Sequence, residues 1–348
     1  MRHHALHHAD PGPGRGIFAL PHRAGEALVH VVPVPFEATV SYGTGTADGP
    51  RAVRAASPQV DLLDPDFGRP HRVGIFQHPE SARVRRWGTD ARRAAGPVIL
   101  GDIDGSARLR RARDRVDGFG ARLNTWLEAE VDALLDDGRI VGVLGGDHSV
   151  PFGAIRAHAQ RCPGLGILHF DAHFDLREAY EGFTWSHASI MHNVLTRIPE
   201  VGRLVQVGIR DYSDEELARA RSSDRRVVAF LDRDLFSARH QGRPFESVAT
   251  AIADSLPRNV YVSFDIDCLD PALCPGTGTP VPGGLSFTDA AAILDAVVRS
   301  GRHIVGFDLV EVAPQRGDGE WNANVGARLL YKLVGATVRS RVVGVGVE

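Results

Sequence analysis

Lysine is almost missing from this chain: among 348 residues Lys332 is the only one, and every other permanently basic side chain is an arginine. That bias is a codon-usage signature of a GC-rich genome and carries no functional information. Cysteine is scarce as well. Cys162, Cys268 and Cys274 form no CxxC pair and leave an odd thiol, which speaks against a disulfide framework and for a reducing, cytoplasmic setting. No apolar run approaches the roughly 18 residues needed to span a bilayer, and the first residues hold no signal-peptide core, so no membrane partner is expected. A basic block is absent too. With a formal net charge of −3, nothing is set aside to neutralise phosphates, which argues against nucleic acid. What remains is ordinary globular composition, 43% hydrophobic and 24% charged, in a chain long enough to bury a sizeable core.

The first two dozen residues hold five histidines and a Pro/Gly cluster, MRHHALHHADPGPGRG and onward. We read residues 1–25 as a flexible tail and 26–348 as a single catalytic domain. Ala27 to Val32 reads as a first buried strand, and Gly49-Pro50 opens a short helix bearing Val53 and Ala56. Residues 64–120 are rich in Arg, Gly and Pro; a strand near Val98–Leu100 is the one element expected there. From residue 122 the pattern becomes regular. Leu123, Trp126, Leu127, Val131, Leu134 and Leu135 recur at helical spacing, and Gly138 ends that helix. Short apolar runs follow at 140–144, 165–170, 204–209, 227–231, 260–264 and 304–309, separated by helical or loop stretches. Such repetition predicts an α/β fold with a mostly parallel sheet covered on both faces.

Four of these runs end in polar sequence. GGDHS follows the first, DAHFD the second, DIDCLDP the fifth, and Glu311 comes just past the sixth. Ligands of open parallel sheets bind at the carboxyl ends of strands, so the four segments should meet in one crevice. In extended backbone, residues two apart face the same way, which would point Asp171, His173 and Asp175 together, and likewise Asp265 and Asp267. With His148 this makes a group of four carboxylates and two imidazoles that would repel itself without cations. Two divalent ions balance four carboxylates. Oxygen-rich ligation with one imidazole per ion suits Mn²⁺, with Ni²⁺ or Co²⁺ as alternatives. Taken singly, each segment has a plainer reading: a DxD at a strand end is usually a turn or cap, and GGDHS could be a glycine turn with an N-cap at Asp147 or Ser149.

The trio GGDHS, DAHFD and SFDIDCLDP resembles the ureohydrolase family of arginases, agmatinases and formimidoylglutamases. The resemblance runs from Pro33-Val-Pro-Phe36 and Gly49-Pro50 to the helix after Asn322, and PGTGTPVPGG at 275–284 and Tyr180-Glu-Gly182 with Ser186-His187 favour the agmatinase branch. It implies an arginase-like three-layer α/β/α sandwich, two Mn²⁺ per chain, and a homotrimer or homohexamer. Carried over by position, it implies that His148 and Asp175 help hold one metal, His173 and Asp267 the other, and that Asp171 and Asp265 bridge them. Asp147 and Asp270 would orient ligands or backbone. His187 would match the family's proton-shuttling histidine and Glu311 its guanidinium-binding carboxylate.

Those residues answer two chemical problems. A guanidinium is a poor electrophile and water a poor nucleophile; metal binding can lower the pKa of water from roughly 15.7 to about 7, and Glu311 can fix the planar cation. His187 would then protonate the leaving amine, although a loop histidine is more often a solvated surface residue. His169 reads as a core-strand residue, and Cys268 as a small packed side chain facing away from the metals. The Asn/Ser loop by which arginases hold an amino-acid head is absent, with Tyr180 to Ser186 in its place. Agmatine, ending in an ammonium, could meet Glu181, Trp185 or Asp211 and yield putrescine and urea. Arg177 suits a carboxylate and so keeps formimidoylglutamate, guanidino acids or guanidine as alternatives. A catalytically silent, metal-stabilised assembly subunit is the non-enzymatic reading.

Overall fold

The computed structural model describes residues 14–101, 107–315, 317–318 and 320–342. Runs of Val, Ile, Leu and Phe with no polar alternation favour strands buried on both faces, and they set the order of the chain. First come β1 (Val29–Val34), α1 (Gly49–Ala56), β2 (Ile75–Gln77), α2 (Ala82–Ile99), α3 (Ala107–Asp136), β3 (Ile140–Gly145) and α4 (Phe152–Arg161). Next are β4 (Leu165–Phe170), α5 (Ile190–Arg197), β5 (Val201–Ile209), α6 (Asp214–Arg221), β6 (Val227–Leu231), α7 (Asp232–His240) and α8 (Phe245–Asp254). Last are β7 (Asn259–Asp265), α9 (Phe287–Arg299), β8 (His303–Val310) and α10 (Trp321–Arg341).

Among the described residues these strands form one parallel sheet, in the order β2-β1-β3-β8-β7-β4-β5-β6. Helices α2 to α5 pack in succession on one another, and α1, α10, α9 and α8 form a second contiguous group. The sheet lies between them, giving three layers. Strand alternation feeds both cores: Val29 and Val31 of β1 join one cluster, Val32 and Val34 the other.

Two expectations need correction. Residues 1–13, with His3, His4, His7 and His8, lie outside the described residues, but the rest of the expected tail is not free chain. Ile17, Phe18 and Leu20 are buried in the core, and Phe18 meets Tyr331 edge-on with ring centroids 4.9 Å apart. Three apolar side chains in four residues outweigh the Pro/Gly context around them. The strand expected near Val98 is instead the end of α2. Val84, Ala91, Ala95 and Val98 share its buried face, and arginines at the intervening positions had masked that period. The three-residue β2 is too short to announce itself in sequence. Lys332 has a structural post, reaching from α10 to Asp64 at 3.0 Å and to Asp66.

Candidate active site

The strands preceding the four polar segments, β3, β8, β7 and β4, are neighbours in the middle of the sheet. Their carboxyl ends therefore open on one crevice. After β3 the chain must pass very close to Phe36: a Cβ on Gly146 would sit 1.9 Å from the Phe36 carbonyl oxygen, so only glycine fits. Buried Asp147 then ties the turn down, accepting from the Ala38 amide at 2.8 Å and the Ser149 amide at 3.1 Å. Extended alternation is not what gathers the acidic side chains. Asp175 has a left-handed φ of 54°, and Ile266–Cys268 is a 3₁₀ turn capped by Asp265, whose Oδ1 accepts from the Asp267 amide at 2.8 Å.

Three carboxylate oxygens surround His148 Nδ1: Asp171 Oδ2 at 3.0 Å, Asp265 Oδ2 at 3.1 Å and Asp175 Oδ2 at 3.3 Å. On the far side of Asp171, His173 Nδ1 lies 3.3 Å from Asp171 Oδ1 and 3.2 Å from Asp267 Oδ2. Asp171 alone touches both groups, one oxygen to each. Hydrogen bonding behind the site decides the tautomer of His148. Ser263 Oγ donates to Asp308 Oδ1 at 3.0 Å, so it accepts from His148 Nε2–H, also at 3.0 Å. Nε2–H is thereby committed to Ser263, and Nδ1 is left aimed at three carboxylate oxygens, where either a proton or a cation can stand between them. Three buried carboxylates crowded round one imidazole need positive charge beside them, and this set of oxygens and imidazole nitrogens fits a divalent cation. His169 takes part from outside. Gln206 Nε2 donates to its Nδ1 at 2.9 Å, which leaves the Nε2 proton facing Asp171 Oδ2 at 2.9 Å and orients that carboxylate.

The fields agree with that reading. Burial works to lower the pKa of His148, yet bonding to Asp171 and Asp265 raises it well above the ordinary value; His173 is raised likewise against its burial by Asp267 and Asp171. Burial and neighbouring carboxylates hold Asp175 and Asp265 far above the usual carboxylate range. Protons and metal ions thus compete for this cluster, and metal binding should release protons. Titrating metal-free protein with Mn²⁺ near pH 7 should give two ions per chain and a heat that depends on the buffer's ionisation enthalpy. Saturation at one ion, or a heat indifferent to the buffer, would contradict this arrangement.

A cavity of about 370 Å³ opens over the cluster, lined by His148, His173, Asp175, His187, Asp265 and Glu311, with Arg177, Tyr180, Asp211, Tyr212 and Glu216 further out. Glu311 is buried at a left-handed φ of 65°. Its Oε1 accepts from the His148 amide at 2.8 Å, while Oε2 has no partner. Burial, then Asp265 and Asp147, push its pKa well up, so it ionises when cations join it. His187 is driven down to about 3 by burial and by the charges of His173 and His148, which keeps the ring neutral at rest.

Glu181 and Trp185, expected at the tail end of the cavity, do not line it. The turn joining Tyr180 to Phe183 sends this stretch towards α3 and α4, where the Trp185 amide donates to Asp117 of α3 at 3.1 Å and its ring makes a T-shaped contact with Phe152 of α4. Arg177 and Asp211 do line it. Sequence reading missed Glu216, which looks like a mere capping partner of Ser213 and is one. It also missed Ser263 and Asp308, whose signal was polarity inside otherwise apolar strands.

The sequence matches the Arginase family profile over residues 27–335. The chain belongs to the arginase family. Family relatives include the N(1)-aminopropylagmatine ureohydrolase of Thermus thermophilus, 34% identical over 317 residues, covering 89% of this chain and 90% of that protein. The agmatinase of Bacillus subtilis is 34% identical over 301 residues, covering 86% and 89%. The crystal structure of agmatine ureohydrolase of Thermoplasma volcanium superposes with a TM-score of 0.67 at 26% identity, covering 90% of this chain and 91% of that one. Arginase-family membership and the parallel three-layer sandwich thus agree. Among the described residues no helix is long and apolar enough to cross a membrane.

Proposed function

We propose that this chain is a two-metal hydrolase of guanidino compounds, acting on an ammonium-ended substrate such as agmatine to release urea and putrescine. The observation that carries this is the set of three buried carboxylates round His148 Nδ1 in the same cavity as the unpartnered Glu311 Oε2. His148 and Asp175 would hold one ion, His173 and Asp267 the other, with Asp171 and Asp265 between them. Mn²⁺ suits this oxygen-rich set, and Ni²⁺ or Co²⁺ could replace it. When bound, the pair supplies a water activated at neutral pH. Glu311 Oε2 pairs with the guanidinium and fixes its carbon, with room left by Gly278, whose Cβ would come within 2.8 Å of that oxygen. His187, neutral at rest, takes up a proton as water adds and returns it to the departing nitrogen.

The outer wall supports a cationic tail. Glu216 is already engaged, accepting from Ser213 Oγ at 2.9 Å and the Leu176 amide at 3.2 Å, with Arg177 Nε at 3.4 Å. Asp211 has no ion-pair partner among the described residues, so an ammonium finds one free carboxylate while a carboxylate must compete with Glu216 for Arg177. The names of the relatives, an aminopropylagmatine ureohydrolase and an agmatinase, agree with such a tail. Urea release from a panel of guanidino compounds, with Mn²⁺- and Ni²⁺-loaded enzyme, tests the proposal. Asp211→Asn should raise KM for agmatine roughly 5–10-fold and leave guanidinobutyrate nearly unchanged. Vigorous hydrolysis of formimidoylglutamate with none of agmatine would overturn the tail assignment; no hydrolysis of any member would favour the silent subunit. A cytoplasmic homotrimer or homohexamer belongs to the same proposal, and light scattering on the eluted protein tests the assembly.

A further inference from the structure

Behind His187 lies a hydroxyl that the metal cluster and the guanidinium site leave unexplained. Thr39 is fully buried in the segment after β1, 148 residues away in sequence. Its Oγ1 lies 3.0 Å from His187 Nδ1 and accepts from the His187 backbone amide at 3.2 Å. The same hydroxyl donates to Ser186 Oγ at 3.4 Å. Ser186 Oγ in turn caps the short His187–Ser189 turn by accepting from the Ala188 amide at 3.3 Å. A hydroxyl has one hydrogen and two lone pairs. With the hydrogen directed to Ser186 and one lone pair taken by the His187 amide, the second lone pair is left for a proton on Nδ1. The ring also makes a T-shaped contact with Tyr180, centroids 5.5 Å apart, so the imidazole has a second support.

We propose that Thr39 is a positioning residue that fixes His187 as the Nδ1–H tautomer and presents Nε2 bare to the cavity. This rests on the reading of His187 as the proton carrier. As water adds to the guanidinium carbon, its proton goes to Nε2 and the ring becomes an imidazolium still held through Nδ1–H. When the C–N bond breaks, its electron pair goes to the departing nitrogen, which takes the proton from Nε2, and the ring returns to its starting tautomer. Thr39 keeps one geometry throughout and never exchanges a proton. Thr39 is the nearer of the two hydroxyls at Nδ1, 3.0 Å against 3.5 Å for Ser186 Oγ.

The test uses full-length, metal-loaded enzyme with agmatine, and the panel member giving most urea where that differs. Thr39→Val removes the hydroxyl at constant shape and should lower kcat roughly 10–100-fold with KM within about twofold and metal content unchanged. Thr39→Ser restores a hydroxyl and should recover kcat to within about threefold. On a His187→Ala background, Thr39→Val should add nothing. Histidine ¹⁵N chemical shifts, with His187 identified by its loss in His187→Ala, should show Nδ1–H in the parent and a shift towards Nε2–H in Thr39→Val. A parent ring carrying its proton on Nε2 overturns the proposal even if Thr39→Val does not fold. So does a Thr39→Val enzyme with kcat within twofold of the parent while His187→Ala is inactive, an outcome that leaves the role of His187 standing. Full activity in His187→Ala removes both.

Discussion

Asp171→Ala should empty the metal site of both ions and lower urea release by about 10⁴-fold or more. Its two oxygens serve different halves: Oδ1 faces His173, and Oδ2 faces His148 and the orienting proton of His169. Oδ1 also accepts from the His173 amide at 2.6 Å, so losing the carboxylate frees the backbone on which one ligand rides. His148→Ala offers the contrast, since it removes an imidazole from one half and should still bind one ion at saturating Mn²⁺. Metal analysis after gel filtration, read beside the rate, separates the two. Metal-linked stabilisation gives a second readout: an ion at 100 times its Kd adds about 2.7 kcal/mol to the folded state, and Asp171→Ala should show no rise in unfolding midpoint on adding Mn²⁺. Retention of two tightly held ions by this variant would refute the shared-carboxylate arrangement.

Glu311→Gln should keep both metals and cost roughly 10²–10³-fold in kcat/KM on every guanidinium substrate, about 3–4 kcal/mol. Glutamine can still accept the His148 amide with its carbonyl, which preserves the turn after β8. Its amide nitrogen then occupies the place of Oε2, setting N–H donors against a cation that is itself all donors. The pH dependence follows from the same group. Burial with Asp265 and Asp147 raises the Glu311 pKa, so the paired, ionised form is lost as pH falls, and kcat/KM for the parent should decline on the acid side. The glutamine variant should lack this group's contribution to that limb. A variant with normal kcat/KM would remove Glu311 from substrate binding.

A good deal of this was legible before any coordinates. Apolar runs announced seven of the eight strands within a few residues, because a parallel strand buried on both faces must be apolar along its length. Segments 64–120 resisted because α2 hides a small-residue face, Val84, Ala91 and Ala95, among arginines. The start of the chain misled for a related reason: Pro, Gly and His dominate its composition, while among its described residues Ile17, Phe18 and Leu20 are the buried ones.

The sequence by itself determined the chemistry available here, since acidic and histidine side chains at the ends of apolar runs admit a divalent metal and little else. Only the tertiary structure decided how they meet. β7 and β8, the last strands in sequence, insert between β3 and β4, which places four distant segments on one crevice that no local period could reveal. Side-chain aim was equally out of reach of the chain's order. Glu181 and Trp185 lie between Arg177 and His187 in sequence yet miss the cavity, while Thr39, far away, holds His187. Strand pattern is a local consequence of burial. Side-chain direction outside the strands depends on turns such as the left-handed residue at Asp175 and the capped 3₁₀ turn after Asp265, which no apolar period announces.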